Sequence, residues 1–462
     1  MRRTLSVVAL LVWIALLWAP AAAAEEDENP ALSELVEVLR AQGVLNQEDY
    51  SRLAAKAAEQ EAQQAQAQKW YDRVRVWGDL RGRYEHFNFY KDTVNGQFGL
   101  KDRHRFRYRL RLNLSGVVND YAEVFVRLAT GSDSTTTNET LGSPADFAPD
   151  GIFVQEAYAR LSPFKQGLMS DGKSTLHLVF GRTPQPWRWD GVHKDLLLWD
   201  DELSPEGAYI HMWKHVSDEV EVFGSTGAYA IDENSGDQDP SLFHAQLGAH
   251  VHPADAFEVG LRGTWFYFWN LDAPFLDRGV QRVPNVAPIT APPAPSAGNT
   301  LGGLTDGSRL NVIEFGGYVK MRLIEGWPIR FYGDFARNLD AASGRNDGLI
   351  PIGPGAFRTG KDGTAWLVGG DLGDAKELFR LRMMYVVLEA NAFPSQFIDS
   401  DIFDGLTNRE GFYWNATKQV WTNTDLTLTA FLSEEIRSGA GYFNSLSGSD
   451  RFRLQADVVW KF

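Results

Sequence analysis

From residue 73 to the C-terminus this chain repeats one pattern, in which polar and apolar residues alternate singly. In RHRFRYRLRLNL (103–114), Arg103, Arg105, Arg107, Arg109 and Arg111 are separated by single residues, among them Phe106, Tyr108 and Leu110. On a helix, side chains two positions apart diverge by about 200° and the arginines would scatter. On a strand they share one face, with the aromatics and leucines on the other. The stretch before it, VRVWGDLRGRY (74–84), repeats the arrangement: Arg73, Arg75, Arg81 and Arg83 fall on one side and Val74, Val76, Leu80 and Tyr84 on the other. The last segment, RFRLQADVVWKF, does so again.

Sixteen segments of about 9–15 residues follow this rule, the length a tilted strand needs to cross a bilayer. Those near 152–162, 174–182, 206–214, 363–372, 377–390 and 409–422 alternate only in part. Their connections also alternate. Short ones such as VVND (117–120), HVSD (215–218), HPAD (252–255), EGWP (325–328) and TNTD (422–425) take turns with long ones at 132–150, 183–205, 270–308, 339–362, 391–408 and 434–449. Short periplasmic turns and long extracellular loops are the habit of an outer-membrane barrel. A soluble sandwich needs no such rhythm.

The N-terminus supports export. Arg2 and Arg3, an apolar run from Leu5 to Trp18 and Ala22-Ala23-Ala24 form a signal peptide over 1–24. The formal charge of −15 becomes about −17 once the two arginines are cut away, which argues against a nucleic-acid partner. The chain has no cysteine, so disulfides, thiolate metal sites and a lipidated N-terminal Cys are excluded. After the signal no apolar run reaches the ~20 residues of a spanning helix. An exported chain that crosses a membrane without such a helix must close its strands into a barrel.

Residues 25–70 differ. Leu32, Leu35, Val36 and Leu39 form a short apolar stripe, Gly43 interrupts it, and Asn46 caps a second helix with Glu48 and Asp49 in its first turn. A periplasmic coiled coil and a solvated spacer are both consistent with this segment. The barrel itself is expected over 71–462. Aromatic residues make up 13% of the chain and cluster near strand ends, as in WFYFW (265–269), in the manner of interfacial girdles. The Pro-rich stretch 283–298 reads as an extracellular loop.

An arginine on the lipid face costs about 2–4 kcal/mol at the bilayer midplane. Arg73, Arg75, Arg81, Arg83, Arg103, Arg105, Arg107, Arg109 and Arg111 are therefore expected to line a water-filled interior. Such a ladder needs counter-charge. The connection 183–206 offers Asp190, Asp195, Asp200, Asp201, Glu202 and Glu206, with Trp187, Trp189 and Trp199 as anchors. Folded inward, it would set carboxylates opposite arginines and make a charged constriction. Folded outward, it would cap the barrel and leave the arginines to neighbouring carboxylates. Anion preference depends on that balance. His244, Gln246, His250 and His252 share strand parity, but solvated interior polar groups are a simpler reading than a metal site. DSDIFDG (399–405) resembles a calcium loop, yet Phe403 stands where an oxygen ligand is needed. No catalytic motif stands in its required setting, and no cofactor is implied.

The segments RLATGSDSTTTNETLG (127–142), GRTPQPW (181–187) and LLWDDELSPEG (197–207), the preceding helical stretch and the terminal Phe resemble the putative porins of Gram-negative bacteria. The resemblance implies an outer-membrane β-barrel for passive diffusion of small hydrophilic solutes, without catalytic residues. Its surroundings would be outer-membrane lipid and lipopolysaccharide, and by analogy its oligomer a homotrimer. Trp460 and Phe462 resemble the C-terminal signal read by the barrel-assembly machinery. Less closely, the chain is similar to alginate-export-like barrels, which would make it an exporter of an anionic polysaccharide. A barrel enzyme is the remaining alternative.

Overall fold

The computed structural model describes residues 40–42, 47 and 50–56 and, from 73 onward, all but 90–101, 120, 132–135, 144–147, 164–173, 189–196, 234–238, 255, 272–307, 323–326, 343–361, 395–396 and 437–449. The chain divides into two compact units, Met1–Arg73 and Val74–Phe462. In the first, residues 50–56 are helical, the Ser51 hydroxyl donates to the Gln47 carbonyl at 2.9 Å, and the Arg40 guanidinium lies 4.3 Å from the centre of the Tyr50 ring. These residues fall within the stretch expected to be helical. The signal segment and the Pro-rich loop lie outside the described residues.

The second unit is a β-barrel. Its strands are β1 (Val74–Phe89), β2 (Arg103–Asn119), β3 (Ala122–Thr130), β4 (Glu139–Thr140), β5 (Ile152–Leu161), β6 (Ser174–Arg182), β7 (Glu206–His215), β8 (Val220–Ala230), β9 (Ser241–Ala254), β10 (Phe257–Leu271), β11 (Ser308–Met321), β12 (Ile329–Asn338), β13 (Thr364–Leu372), β14 (Arg380–Leu388), β15 (Arg409–Trp421), β16 (Thr424–Glu435) and β17 (Arg451–Lys461). Every pairing is antiparallel; strands consecutive in the chain pair with one another except that β3 pairs with β5 past the short β4, and β1 pairs with both β2 and β17, which closes the ring. The two-residue β4 lies outside it and pairs only with Arg107 and Tyr108 of β2. The ring thus has sixteen strands, as the periodicity predicts.

Alternation explains why each strand sits as it does. On β2, Phe106 is 59% exposed while Arg107 and Arg109 are buried. The same contrast holds for Phe180 against Val179 on β6 and for Leu261 against Arg262 on β10. In water an exposed apolar belt of this extent would be a liability. In lipid it is the required outer surface, and a closed ring leaves no open edge. One connection departs from the expected rhythm: 162–173, between β5 and β6, is longer than its companions on the short-turn side.

The closing ladder between β1 and β17 extends to the last residue. Gly78 donates its N–H to the Phe462 carbonyl at 2.8 Å and accepts the Phe462 N–H at 3.1 Å. A Cβ on Gly78 would collide with the Phe462 ring and the Arg111 carbonyl. Gly78→Val is therefore expected to push the terminal ring away and cost about 1–3 kcal/mol. The folded, fast-migrating fraction on unheated gels should fall; an unchanged fraction would refute this account of closure.

Candidate functional site: an arginine wall met by two inward loops

The interior faces of β17, β1 and β2 form one basic wall. The register sets Arg81 opposite Arg109, Arg83 opposite Arg107, Glu85 opposite Arg105 and Asp79 opposite Arg111. It also sets Arg83 opposite Asp457 and Glu85 opposite Gln455. Like charges directly across strands repel, so the wall must carry its own acids. Asp79 accepts from Arg109 at 2.7 Å and from Arg111 at 2.9 Å. Asp457 takes both Arg83 donors, at 2.7 and 2.9 Å, in the paired geometry that makes arginine–carboxylate contacts strong. Glu85, wholly buried, accepts from Arg453 at 2.7 Å and from Arg105, and lies 3.5 Å from Arg83 and 3.9 Å from Arg107.

Two long connections supply the remaining acids. The third, L3 (183–205), leaves the end of β6 and first reaches the far side of the barrel. The Trp187 carbonyl accepts from Arg262 of β10 and from Gln246 of β9, each at 2.8 Å. In a ring of sixteen, β10 is eight strands from β1 and stands diametrically opposite it. L3 then reaches the basic wall, where Glu202 meets Arg109 at 3.1 Å and Arg81 at 3.8 Å. It therefore spans the interior. The seventh connection, L7 (389–408), does the same from between β14 and β15. Asp401 pairs with Arg83 at 2.9 Å and Arg453 at 2.7 Å, and Asp404 pairs with Arg451 and, at 3.3 Å, with Arg453.

An aromatic cluster joins the loops to each other. Trp199 lies 4.6 Å from Trp187, 4.8 Å from Phe393 and 5.3 Å from both Phe397 and the β10 ring of Phe266. Polar contacts reinforce it: Asp200 donates its N–H to the Phe397 carbonyl at 2.7 Å and accepts the Ser400 N–H at 2.8 Å. The second connection (131–151) braces Glu202, which accepts from the Thr137 N–H at 2.6 Å and hydroxyl at 2.7 Å. Burial and the neighbouring carboxyls of Asp399, Asp201 and Glu202 raise the Asp200 carboxyl well above the usual range. Burial also acts on Asp401, but Arg83, Arg453 and Arg81 outweigh it and hold that carboxyl well below the range.

The expected site residues thus separate. Arg81, Arg83, Arg107 and Arg109 are buried in the wall, and Arg103, Arg105 and Arg111 are partly covered. Arg75 is exposed near the start of β1, and Arg73 is exposed in the N-terminal unit. Of the L3 acids, Glu202 meets the arginines directly. Asp200 turns to the L7 backbone, and Asp201 has a carboxylate oxygen within 4.8 Å of those of Asp200 and Asp399. Glu206 is the first residue of β7 rather than part of the loop, and pairs with Arg182. Asp190, Asp195 and Trp189 lie outside the described residues. His244 is not solvated: it is buried against Trp187, with Ser225 Oγ 2.9 Å away. The role of L7 is the part sequence reasoning missed, although DSDIFDG marked the segment and Arg451 and Arg453 marked its partners.

The description "Putative porin" belongs to the family that matches residues 97–312. No curated protein matches. Among solved structures, OprB of Pseudomonas putida matches at 8% identity over 86% of this chain and 96% of its own, with a TM-score of 0.50. The outer membrane channel DcaP of Acinetobacter baumannii matches at 11% identity over 84% and 97%, with a TM-score of 0.43. A triple mutant of Rhodopseudomonas blastica porin matches at 11% identity over 84% and 100%, with a TM-score of 0.40. The family match spans 97–312, just under half of the chain, and with the closed sixteen-strand ring it makes this chain similar to the porin-type channels of the bacterial outer membrane.

Proposed function

We propose that the channel admits small hydrophilic solutes by passive diffusion past a constriction formed by L3, L7 and the arginine wall. One observation carries the reading: L3 is held at Trp187 by β10 and at Glu202 by β1 and β2, on opposite sides of the ring. Carboxylates facing guanidinium groups in a narrow, poorly screened passage set up a transverse field that orders dipolar solutes and sorts ions. Among the described residues, the arginines of the wall outnumber the carboxylates paired with them, which favours a modest anion preference. The first 24 residues serve as the export signal and 25–70 as a periplasmic helical segment. The exposed Trp460 and Phe462 suit recognition by the assembly machinery. Lipid and lipopolysaccharide would cover the outer belt, and the likeness to porins supports a homotrimer.

Planar-bilayer recording tests the reading. Stable open-channel current is expected, with a reversal potential in a salt gradient that favours anions. Replacing Arg105, Arg107 and Arg109 together by Gln should lower the anion-to-cation permeability ratio severalfold, because each guanidinium contributes to a field screened over only about 8–10 Å. A non-conducting barrel would sink the channel reading, and an unchanged ratio would sink the role of the wall.

A further inference from the structure

Beyond the constriction, the interior carries an arc of rings across six successive members of the barrel, from β1 to β7. Trp77 on β1 lies 5.8 Å from Phe125 on β3, and Phe125 stacks at 5.1 Å on Tyr158 of β5. On β6 and β7, His177 and His211 lie nearly parallel, 4° apart at 6.5 Å. Trp213, two residues on along the same face of β7, follows. These positions alternate with the exposed outward residues Val76, Val124, Leu178, Ile210 and Met212, so the rings face inward. Phe125 is covered and serves as the packing base between Trp77 and Tyr158, whereas Trp77 is 39% exposed and Tyr158, His177, His211 and Trp213 are half-buried, so these rings keep a free face.

Between the rings stand paired charges. Arg160 meets Glu123 at 2.6 Å, with both side chains partly exposed, and Arg127 pairs with Glu156. A neutralised pair exerts little net pull on an ion, yet its remaining N–H donors and carboxylate lone pairs can bond hydroxyl groups. An aromatic face is apolar and carries partial negative charge. It suits the flat C–H face of a six-membered sugar ring, whose hydroxyls project sideways toward such pairs.

We propose that this arc is a binding track for the pyranose rings of neutral saccharides. The proposal rests on the channel reading and deepens it by naming a solute class. A sugar would slide from ring to ring while ion pairs exchange hydrogen bonds with its hydroxyls. No net charge on the solute is required.

The test is open-channel current through the full-length protein in a planar bilayer, titrated with maltotriose and, separately, with a polyethylene glycol of matched hydrodynamic radius. Maltotriose should produce saturable, concentration-dependent block, and the polyether only the graded fall expected from viscosity and excluded volume. Trp77→Ala and Trp213→Ala should each raise the half-blocking concentration by roughly three- to tenfold, as expected for loss of one stacking face. Trp77→Phe, which keeps a ring, should restore most of the block. Open-channel current with no saturable block overturns the track and leaves the channel standing. Block that is unchanged in both alanine variants also overturns it. Absence of any open-channel current removes the channel reading, and the track with it. If an alanine variant fails to fold, the comparison between the two solutes on the native protein still decides.

Discussion

Glu85→Ala should lower the stability of the barrel by about 3–5 kcal/mol, the cost of breaking a buried charge network by deleting one partner. Glu85 has no exposed surface. It accepts from Arg453 and Arg105, lies within 3.9 Å of Arg83 and Arg107, and accepts a hydrogen bond from Gln455 at 3.1 Å. Removing it leaves four guanidinium groups close together in a poorly hydrated place. Arg83 and Arg453 keep Asp457, Asp401 and Asp404, but Arg105 and Arg107 lose the carboxylate beside them, and mutual repulsion adds to the cost. Glu206→Ala is the matched control, since that carboxylate is largely exposed and pairs with Arg182 at the start of β7; loss of such a pair costs under about 1 kcal/mol. Urea midpoints in detergent micelles compare the two. A Glu85→Ala barrel within about 1 kcal/mol of wild type would show that Asp401 and Asp457 neutralise the wall by themselves.

The ring itself was legible because lipid imposes a rule on every spanning residue: outward side chains must be apolar, so each strand alternates. That rule placed Arg107 and Phe106 on opposite faces and counted sixteen strands. It has nothing to say about residues that leave the strands. Trp187 and Trp199 were readable as anchors, since large aromatics in a polar connection need cover, but not the wall they anchor to. Whether L3 turned inward could not follow from its composition, because its acids would suit solvent equally well. For Asp401 and Asp404 the difficulty was different. Their spacing suggests oxygen ligands for a cation, and in the fold the cations are guanidinium groups from β17 and β1. The clue lay in two separate places, DSDIFDG and RFRLQADVVWKF, which only the closed ring brings together. His244 was misread for a related reason: a polar residue on an inward face is solvated only if no loop folds over it, and Trp187 does.

Trp199→Ala should release L3 and L7 from the far wall and widen the pore while leaving the ring closed. The indole packs against Trp187, Phe266, Phe393 and Phe397, and the rings of Phe266 and Phe268 belong to β10. Truncating a buried indole costs about 3–5 kcal/mol. Here the loss falls on loop docking, because no backbone hydrogen bond between strands passes through Trp199. At about 1.4 kcal/mol per tenfold, the undocked fraction should rise by roughly two to four powers of ten. Both loops should move together, since Asp200 ties L3 to the L7 backbone at Phe397 and Ser400. Single-channel records should show higher conductance with larger current noise, and weaker ion selectivity as Glu202 and Asp401 leave the arginines. Trp265→Ala controls for general damage: that indole also sits on β10, but on the exposed outer face, bonded to Asn311. Its conductance should match wild type. Equal conductance and noise for Trp199→Ala and wild type would mean that the salt bridges at the arginine wall hold the loops without the aromatic cluster, and the two-sided clamp would have to be abandoned.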